Sequence, residues 1–269
     1  GKDEDENWLV FERYVKVPGS LNGHVDSVPV ETGFLLETNT KDKTERITRI
    51  KDSPLVVFFP TEKETRLGFL IQGPYRTNPA RDNIPKGDNW NITLVQETAH
   101  LVVDGLQYLK DLGLLNVALL EALPIRMDDF PSGSMFHPIF SSVREVLRTK
   151  DLLPTADGMF ASAQNVRLAR GADLRTLLND DQLSSLFQSR ETVKWLPGAI
   201  TQDRAPDLRT YLLDELGIEE VTPDIVARKI SSSFLASQSD NWFVEFYAYL
   251  LSQEALWRSP RWKGDVGGI

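Results

Sequence analysis

The sequence has no cysteine and only three histidines, His24, His100 and His137, far apart along 269 residues. Disulfides, thiolate nucleophiles and cysteine-ligated zinc are therefore excluded, and no metal-ligating residue is expected. A reducing compartment suits this composition, and the expected location is cytoplasmic. No run of 18 apolar residues occurs. The longest apolar stretches, Leu55 to Pro60 and Phe243 to Leu251, have the size of core elements, and Glu245 interrupts the second. No membrane-spanning helix and no membrane partner are expected. Positive charge is scarce too, with 30 Lys and Arg against 39 Asp and Glu and a net charge of −9. A duplex-binding domain normally carries a positive face, so nucleic acid is disfavoured as a partner. The start, Gly1-Lys2-Asp3-Glu4-Asp5-Glu6, lacks an initiator Met and an apolar signal region. It reads as solvated linker at the head of a piece cut from a longer protein.

Common catalytic signatures are missing as well. No G-x-x-x-x-G-K-[ST] loop and no G-x-G-x-x-G turn occurs, so neither common backbone cradle for phosphates is present. A G-x-S-x-G elbow and an H-E-x-x-H helix are also absent. The chain holds no self-sufficient active site of a familiar kind.

What is present is an ordinary globular composition, 41% hydrophobic and 26% charged. Residues 8–17 and Val28 to Leu36 are β-branched and aromatic and read as strands, the first closed by Pro18-Gly19. The polar stretch Asn39 to Arg49 reads as a hairpin connection. Leu55-Val-Val-Phe-Phe59 is a continuous apolar run of buried-strand length closed by Pro60, with Leu67 to Ile71 as its neighbour. The period then changes. Leu94, Val95, Leu101, Val102, Leu106 and Leu109 recur at three- and four-residue steps, the stripe of a helix of about five turns. Asp88, Asn89 and Asn91 supply caps before it, and Gly113 supplies the stop.

Asn116 to Leu123 fits helix or strand. Pro124 to Pro138 is loop-like, with Pro138 suited to the first turn of a helix carrying Phe140, Val143, Val146 and Leu147. Leu152 to Phe160 reads as a hairpin turning at Asp157-Gly158, where positive φ angles are needed. Helical patterns follow at Asp173 to Leu178, Asp180 to Phe187, Pro206 to Leu216, Pro223 to Leu235 and Trp242 to Leu251, interrupted by Lys194 to Gly198, which reads as a strand or an extended loop. Thr222-Pro223 and Asp240 are the expected caps. The predicted class is α/β, with α+β as the alternative, in two parts at 1–150 and 151–269.

One segment attracts functional interest. Gly68-Phe-Leu-Ile-Gln-Gly-Pro-Tyr-Arg-Thr-Asn-Pro-Ala-Arg-Asp-Asn-Ile84 runs from a strand into a Gly, Pro and Asn loop just before the long helix. Loops set on rigid elements are favoured functional positions. Arg76 and Arg81, with Thr77 and Asn78 between them, could present guanidinium forks to a phosphate or carboxylate. The competing expectation is that both arginines pair locally with Asp82 or Asp88.

The residues also carry a resemblance. Leu55 to Tyr75, then Asn78-Pro-Ala-Arg-Asp-Asn-Ile84, then Trp90-Asn91 and the helix, resemble the segment that follows the ATPase domain in sacsin-like proteins. Those proteins are relatives of the ninety-kilodalton heat-shock chaperones, in the superfamily with a Bergerat nucleotide fold. Leu153-Pro-Thr-Ala-Asp-Gly158 also looks like an L-P-T-x-D-G element of such proteins. The likeness covers residues 55–112 and, more weakly, 152–160.

The resemblance implies a transducer-like domain that acts on ATP and magnesium held mainly by an N-terminal domain of the same chain. It implies that Arg81 reaches the γ-phosphate, with Asn78 as a neighbouring contact and Arg76 as the runner-up. Pro79 and Pro85 make the loop longer than the family pattern. The acidic-Asn box and D-x-G-x-G loop of the nucleotide domain are missing here, Asp265-Val-Gly-Gly-Ile269 being a partial echo at the wrong end. The chain alone is then not expected to hydrolyse ATP.

A cation against a transferring phosphoryl group stabilises transition-state charge and can report nucleotide state. The alternative is a non-catalytic protein-interaction scaffold, with the aromatics of Trp242 to Tyr249 sealing a contact to a client or partner protein. An unrecognised carboxylate enzyme has no motif behind it. His100, off the apolar stripe, and Trp90, ahead of the helix, read as structural.

Overall fold

The computed structural model describes residues 6–18, 27–38, 43–78 and 84–253. Alternating apolar residues build its first layer. Strands β1 (Asn7–Lys16) and β2 (Ser27–Thr38) pair antiparallel from Asn7 opposite Leu36 to Lys16 opposite Ser27. The far half of β2 takes a further partner, β3 (Glu45–Thr48). The stretch expected to be only a connection therefore contains a strand, and fully buried Ile47 is what seats it on the core.

The apolar run from Leu55 is not one strand either. It divides into β4 (Pro54–Val57) and β5 (Phe59–Glu64), and Phe58 turns the chain between them at φ +58°. Pro60 does not close the run but sits in the returning strand opposite Val56. Strand β5 lies at the sheet edge, where a missing N–H costs no ladder bond. The turn at Phe58 breaks the run, so Leu55 and Val57 enter the core while Phe58 and Phe59 are 77% and 67% exposed. Strand β6 (Leu70–Gln72) lies beside β4 as expected, and the sheet order is β1-β2-β6-β4-β5, with β3 on β2.

Helix α1 (Asn89–Asp111) packs on this sheet, and all six residues of the expected stripe are buried. Its stop is Gly113 at φ +73°. The ambiguous segment resolves as helix α2 (Val117–Ala122), whose first turn is capped by the Asn116 side chain. Helix α3 (His137–Thr149) carries Pro138 in its first turn, packs against α1 and buries Phe140, Val143 and Leu147.

The hairpin β7 (Leu153–Pro154) and β8 (Phe160–Ala161) turns where expected, with only Gly158, at φ +81°, in the left-handed region. After it comes a three-stranded sheet of which the sequence marks one strand, within Lys194 to Gly198. Strands β9 (Val166–Ala169), β10 (Lys194–Trp195) and β11 (Glu220–Val221) run parallel in the order β10-β9-β11. They are joined through α4 (Ala172–Leu177), α5 (Asp180–Leu186) and α6 (Pro206–Thr210), which continues into a π turn at Tyr211–Glu215.

The single helix expected over Pro223 to Leu235 is two, α7 (Pro223–Lys229) and α8 (Ser232–Ala236), because Ile230 is extended and Ser231 caps anew. Helix α9 (Asp240–Ser252) is capped by Ser239 rather than Asp240.

Side chains of the parallel sheet divide between two cores. Val166, Leu168, Leu196 and Ile218 enter the large core beneath α1 and α3. Ala169, Trp195 and Val221 enter a second core with Trp242 and Phe246 of α9. The chain is a mixed α/β protein. Among the described residues no helix is long and apolar enough to cross a membrane.

Candidate functional site

The junction from β6 into α1 is built on one nearly buried amide. Asn91, in the first turn of α1, is 1% exposed. Its Oδ1 accepts from the Arg76 N–H at 2.8 Å, and its Nδ2 donates to the carbonyls of Arg76 and Pro85 at 3.0 Å each. One side chain therefore ties residues 76 and 85 to the first turn of α1. Trp90 adds a bond from its Nε1 to the Pro74 carbonyl at 3.0 Å.

Immediately before Arg76, the Tyr75 hydroxyl lies 3.2 Å from Thr98 Oγ1. Burial pushes the Tyr75 phenol up to about 12 despite that contact, so it stays neutral and only packs and hydrogen-bonds. Asp88 caps α1, its Oδ1 accepting from the Trp90 and Asn91 N–H groups at 2.8 and 3.1 Å. The Asn91 N–H, together with the Arg76 guanidinium and the Trp90 N–H, holds the Asp88 carboxyl below its usual range.

The expected phosphate ligands sit differently with respect to this frame. Arg76 Nη1 lies 3.2 Å from Asp88 Oδ2, the local pairing that was the competing expectation. Its side chain remains 67% exposed, so the pair is a surface one and weak. Asn78 lies at the end of the described strand exit and is engaged in a contact of its own. Arg81 lies outside the described residues, with Pro79 to Asn83. Among the described residues no cluster of three His, Asp or Glu gathers in a metal-binding arrangement.

The chain is similar to a plant protein. Over 231 residues it is 26% identical to Protein NO VEIN of Arabidopsis thaliana, a match that covers 84% of this chain and 8% of the plant protein. The chain thus spans a small part of that relative's length. No family profile matches it, and no solved structure does.

Several motif residues prove to have structural roles. In the hairpin, Asp157 accepts from Thr155 Oγ1 at 2.5 Å and from the Met159 N–H at 3.2 Å, and Lys194 of β10 lies 2.5 Å away. Lys194 and these hydrogen bonds hold the Asp157 carboxyl down at about 2. Lys194 also reaches Asp180 at 3.0 Å, and the Ala156 N–H donates to the Trp195 carbonyl at 2.7 Å. The L-P-T-x-D-G element therefore ties the hairpin to the parallel sheet.

His100 is exposed, 3.7 Å from Glu97. Trp90 is half-buried against the main core. Helix α9 buries Trp242 and Phe246 but leaves Val244, Tyr247 and Leu251 exposed. The residue that sequence reasoning passed over is Asn91, noted there only as a possible cap. Its position beside Trp90 in the motif was the available signal.

Proposed function

We propose that this chain is a segment of a larger sacsin-like, chaperone-like ATPase. It couples ATP binding and hydrolysis in an N-terminal domain of the same protein to conformational change. ATP and Mg are held mainly by that domain, and the loop between residues 76 and 85 supplies Arg81 to the γ-phosphate. The observation that carries the reading is the Asn91 clamp, which fixes Arg76 and Pro85, on either side of Arg81 in sequence, to the first turn of a 23-residue helix. A loop anchored at both feet on a rigid helix is suited to presenting one side chain, and to transmitting its loss of a partner into the helix. Arg76, in its weak surface pair with Asp88, is the second candidate for the phosphate contact. The setting is cytoplasmic.

The test is phosphate release by the full-length protein. Arg81→Ala lowers turnover by about 10³ or more, whereas Arg76→Ala leaves it within about twofold. Unchanged turnover in Arg81→Ala would remove that residue from the mechanism.

A second reading, a non-catalytic interaction scaffold on the same fold, draws on two observations. Arg76 is paired locally, and the outer side of α9 offers Val244, Tyr247 and Leu251 to a client or partner protein. It predicts no dependence of turnover on Arg81 and loss of partner binding in a Val244→Ser/Tyr247→Ser double variant.

A further inference from the structure

The parallel sheet opens a groove at its carboxyl edge that the reading above does not use. All three strands end there. The Arg170-Gly171 exit of β9, the Gly198 to Arg204 turn after β10, Arg209 of α6 and Glu220 of β11 enclose a volume of 620 Å³. Strand order β10-β9-β11 means that the chain leaves β9 toward one neighbour and then crosses to the other side. Such a reversal leaves a crevice outside the carboxyl ends, where open parallel sheets bind ligands. The volume falls in the range of about 300–1,000 Å³ typical of small-molecule sites.

The charge of the groove opposes that of the chain. Four arginines line it, Arg170, Arg175, Arg204 and Arg209, against only Asp203 and Glu220. Glu220 is committed. Its carboxylate lies 2.7 Å from Arg170 Nη2 and 2.5 Å from Arg209 Nη2, and Arg209 also donates to Gln202 Oε1 at 3.2 Å. Burial would raise the Glu220 pKa, but the two guanidinium bonds outweigh it and hold the carboxyl below its ordinary value. This bridge fixes two guanidinium groups on one carboxylate and leaves an excess positive charge at the groove wall.

Arg175 and Arg204 have no ion pair or side-chain hydrogen bond among the described residues. Arg175 instead lies over Gly198, where an added methyl group would come within 2.7 Å of its Nη2. A side chain at position 198 would displace that guanidinium, so glycine there is what allows Arg175 its place.

We propose that this groove binds a small phosphate monoester, with Arg175 and Arg204 taking the phosphate and the Arg170–Glu220–Arg209 bridge holding the wall. The groove is larger than a bare phosphate requires, which leaves room for the esterified part. Guanidinium forks match phosphate oxygens bidentately, and a site with no competing carboxylate on two of its arginines is prepared for that contact.

The experiment titrates the chain with glycerol 3-phosphate and, separately, with inorganic phosphate and citrate, followed by backbone amide NMR. Saturable binding of glycerol 3-phosphate is expected, with shifts at Gly171, Gly198 and Thr201. Loss of either unpaired arginine, in Arg175→Gln or Arg204→Gln, weakens it by about tenfold, as expected for one charge-assisted hydrogen bond. Gly198→Ala keeps every charge but displaces Arg175, and it is expected to weaken binding while leaving the melting temperature within about 2 °C. Arg148→Gln, on the surface of α3, changes nothing.

The proposal is overturned if glycerol 3-phosphate does not bind, if its affinity ignores Arg175→Gln and Arg204→Gln, or if citrate alone binds. The last result would assign the groove to carboxylates such as acidic peptide side chains.

Discussion

Replacing Asn91 by Ala removes three hydrogen bonds at once, those to the Arg76 N–H, the Arg76 carbonyl and the Pro85 carbonyl. Each bond of this kind contributes about 1 kcal/mol net, and an abandoned buried partner costs more. Water can reach part of this junction, because Pro85 is exposed. The expected loss is therefore about 2–3 kcal/mol rather than the full desolvation cost of three groups. Much of it falls on local opening, since the Trp90 to Pro74 bond and the buried apolar stripe of α1 still hold the helix.

Hydrogen exchange at the Arg76 amide reads this directly. An opening made easier by about 2–3 kcal/mol speeds exchange by roughly 30- to 150-fold. Asn91→Asp separates donor from acceptor. The carboxylate can still accept from the Arg76 N–H but faces two carbonyl oxygens from a 1% exposed position, so it is expected to be worse than Ala. If the Arg76 amide exchanges at the original rate in Asn91→Ala and the urea midpoint is also unmoved, the clamp does not hold the loop and the functional reading built on it falls.

Two further outcomes follow from packing and charge. Gly68→Ala would set a methyl carbon 2.4 Å from the Ala122 carbonyl oxygen and 2.7 Å from its Cα, both backbone atoms. Urea denaturation should then register a loss of about 3 kcal/mol, and a loss under about 0.5 kcal/mol would mean that the chain and α2 can separate freely there. Acid should weaken the hairpin anchor. Asp157 sits at about 2 in the folded chain against an ordinary 3.8, so its contribution is complete above about pH 5 and is lost progressively as pH falls toward 2. Its side chain is 43% exposed, so the effect is screened to at most about 1 kcal/mol. Urea midpoints of Asp157→Asn should fall less steeply over that window than those of the unaltered chain, and identical slopes would discount the Lys194 pairing.

The sequence was most readable where one long period repeats. Six apolar residues at helical spacing announced α1, and Asp88 and Gly113 marked its ends. It was least readable where elements are short. Strands β9 and β11 hold four and two residues, too few to display alternation, and each follows or precedes a helical pattern, whereas β10 falls within the extended Lys194 to Gly198. The turn at Phe58 carried no glycine or asparagine to announce its positive φ, so an edge hairpin passed for one strand.

The candidate loop was visible as a composition, including Arg76 and Asn78, yet Asn91's grip on residues 76 and 85 depends on a fold that returns the chain to that point. The four arginines of the groove lie 39 residues apart from first to last, Arg170 to Arg209, and no local pattern joins them.

The division of the parallel sheet between two cores has a consequence for how the molecule comes apart. Val166 and Leu168 of β9 point into one apolar interior, and Ala169, between them and the helices of the other, points into the second. A thin partition of this kind is packed on both faces and meets solvent at its carboxyl edge. Should the α9 interior dissolve, the partition would lose the packing on that side and with it the order that seats Leu168 and Leu196 opposite. The two interiors are therefore bound to a common fate, and heat or denaturant should dismantle them as one cooperative unit.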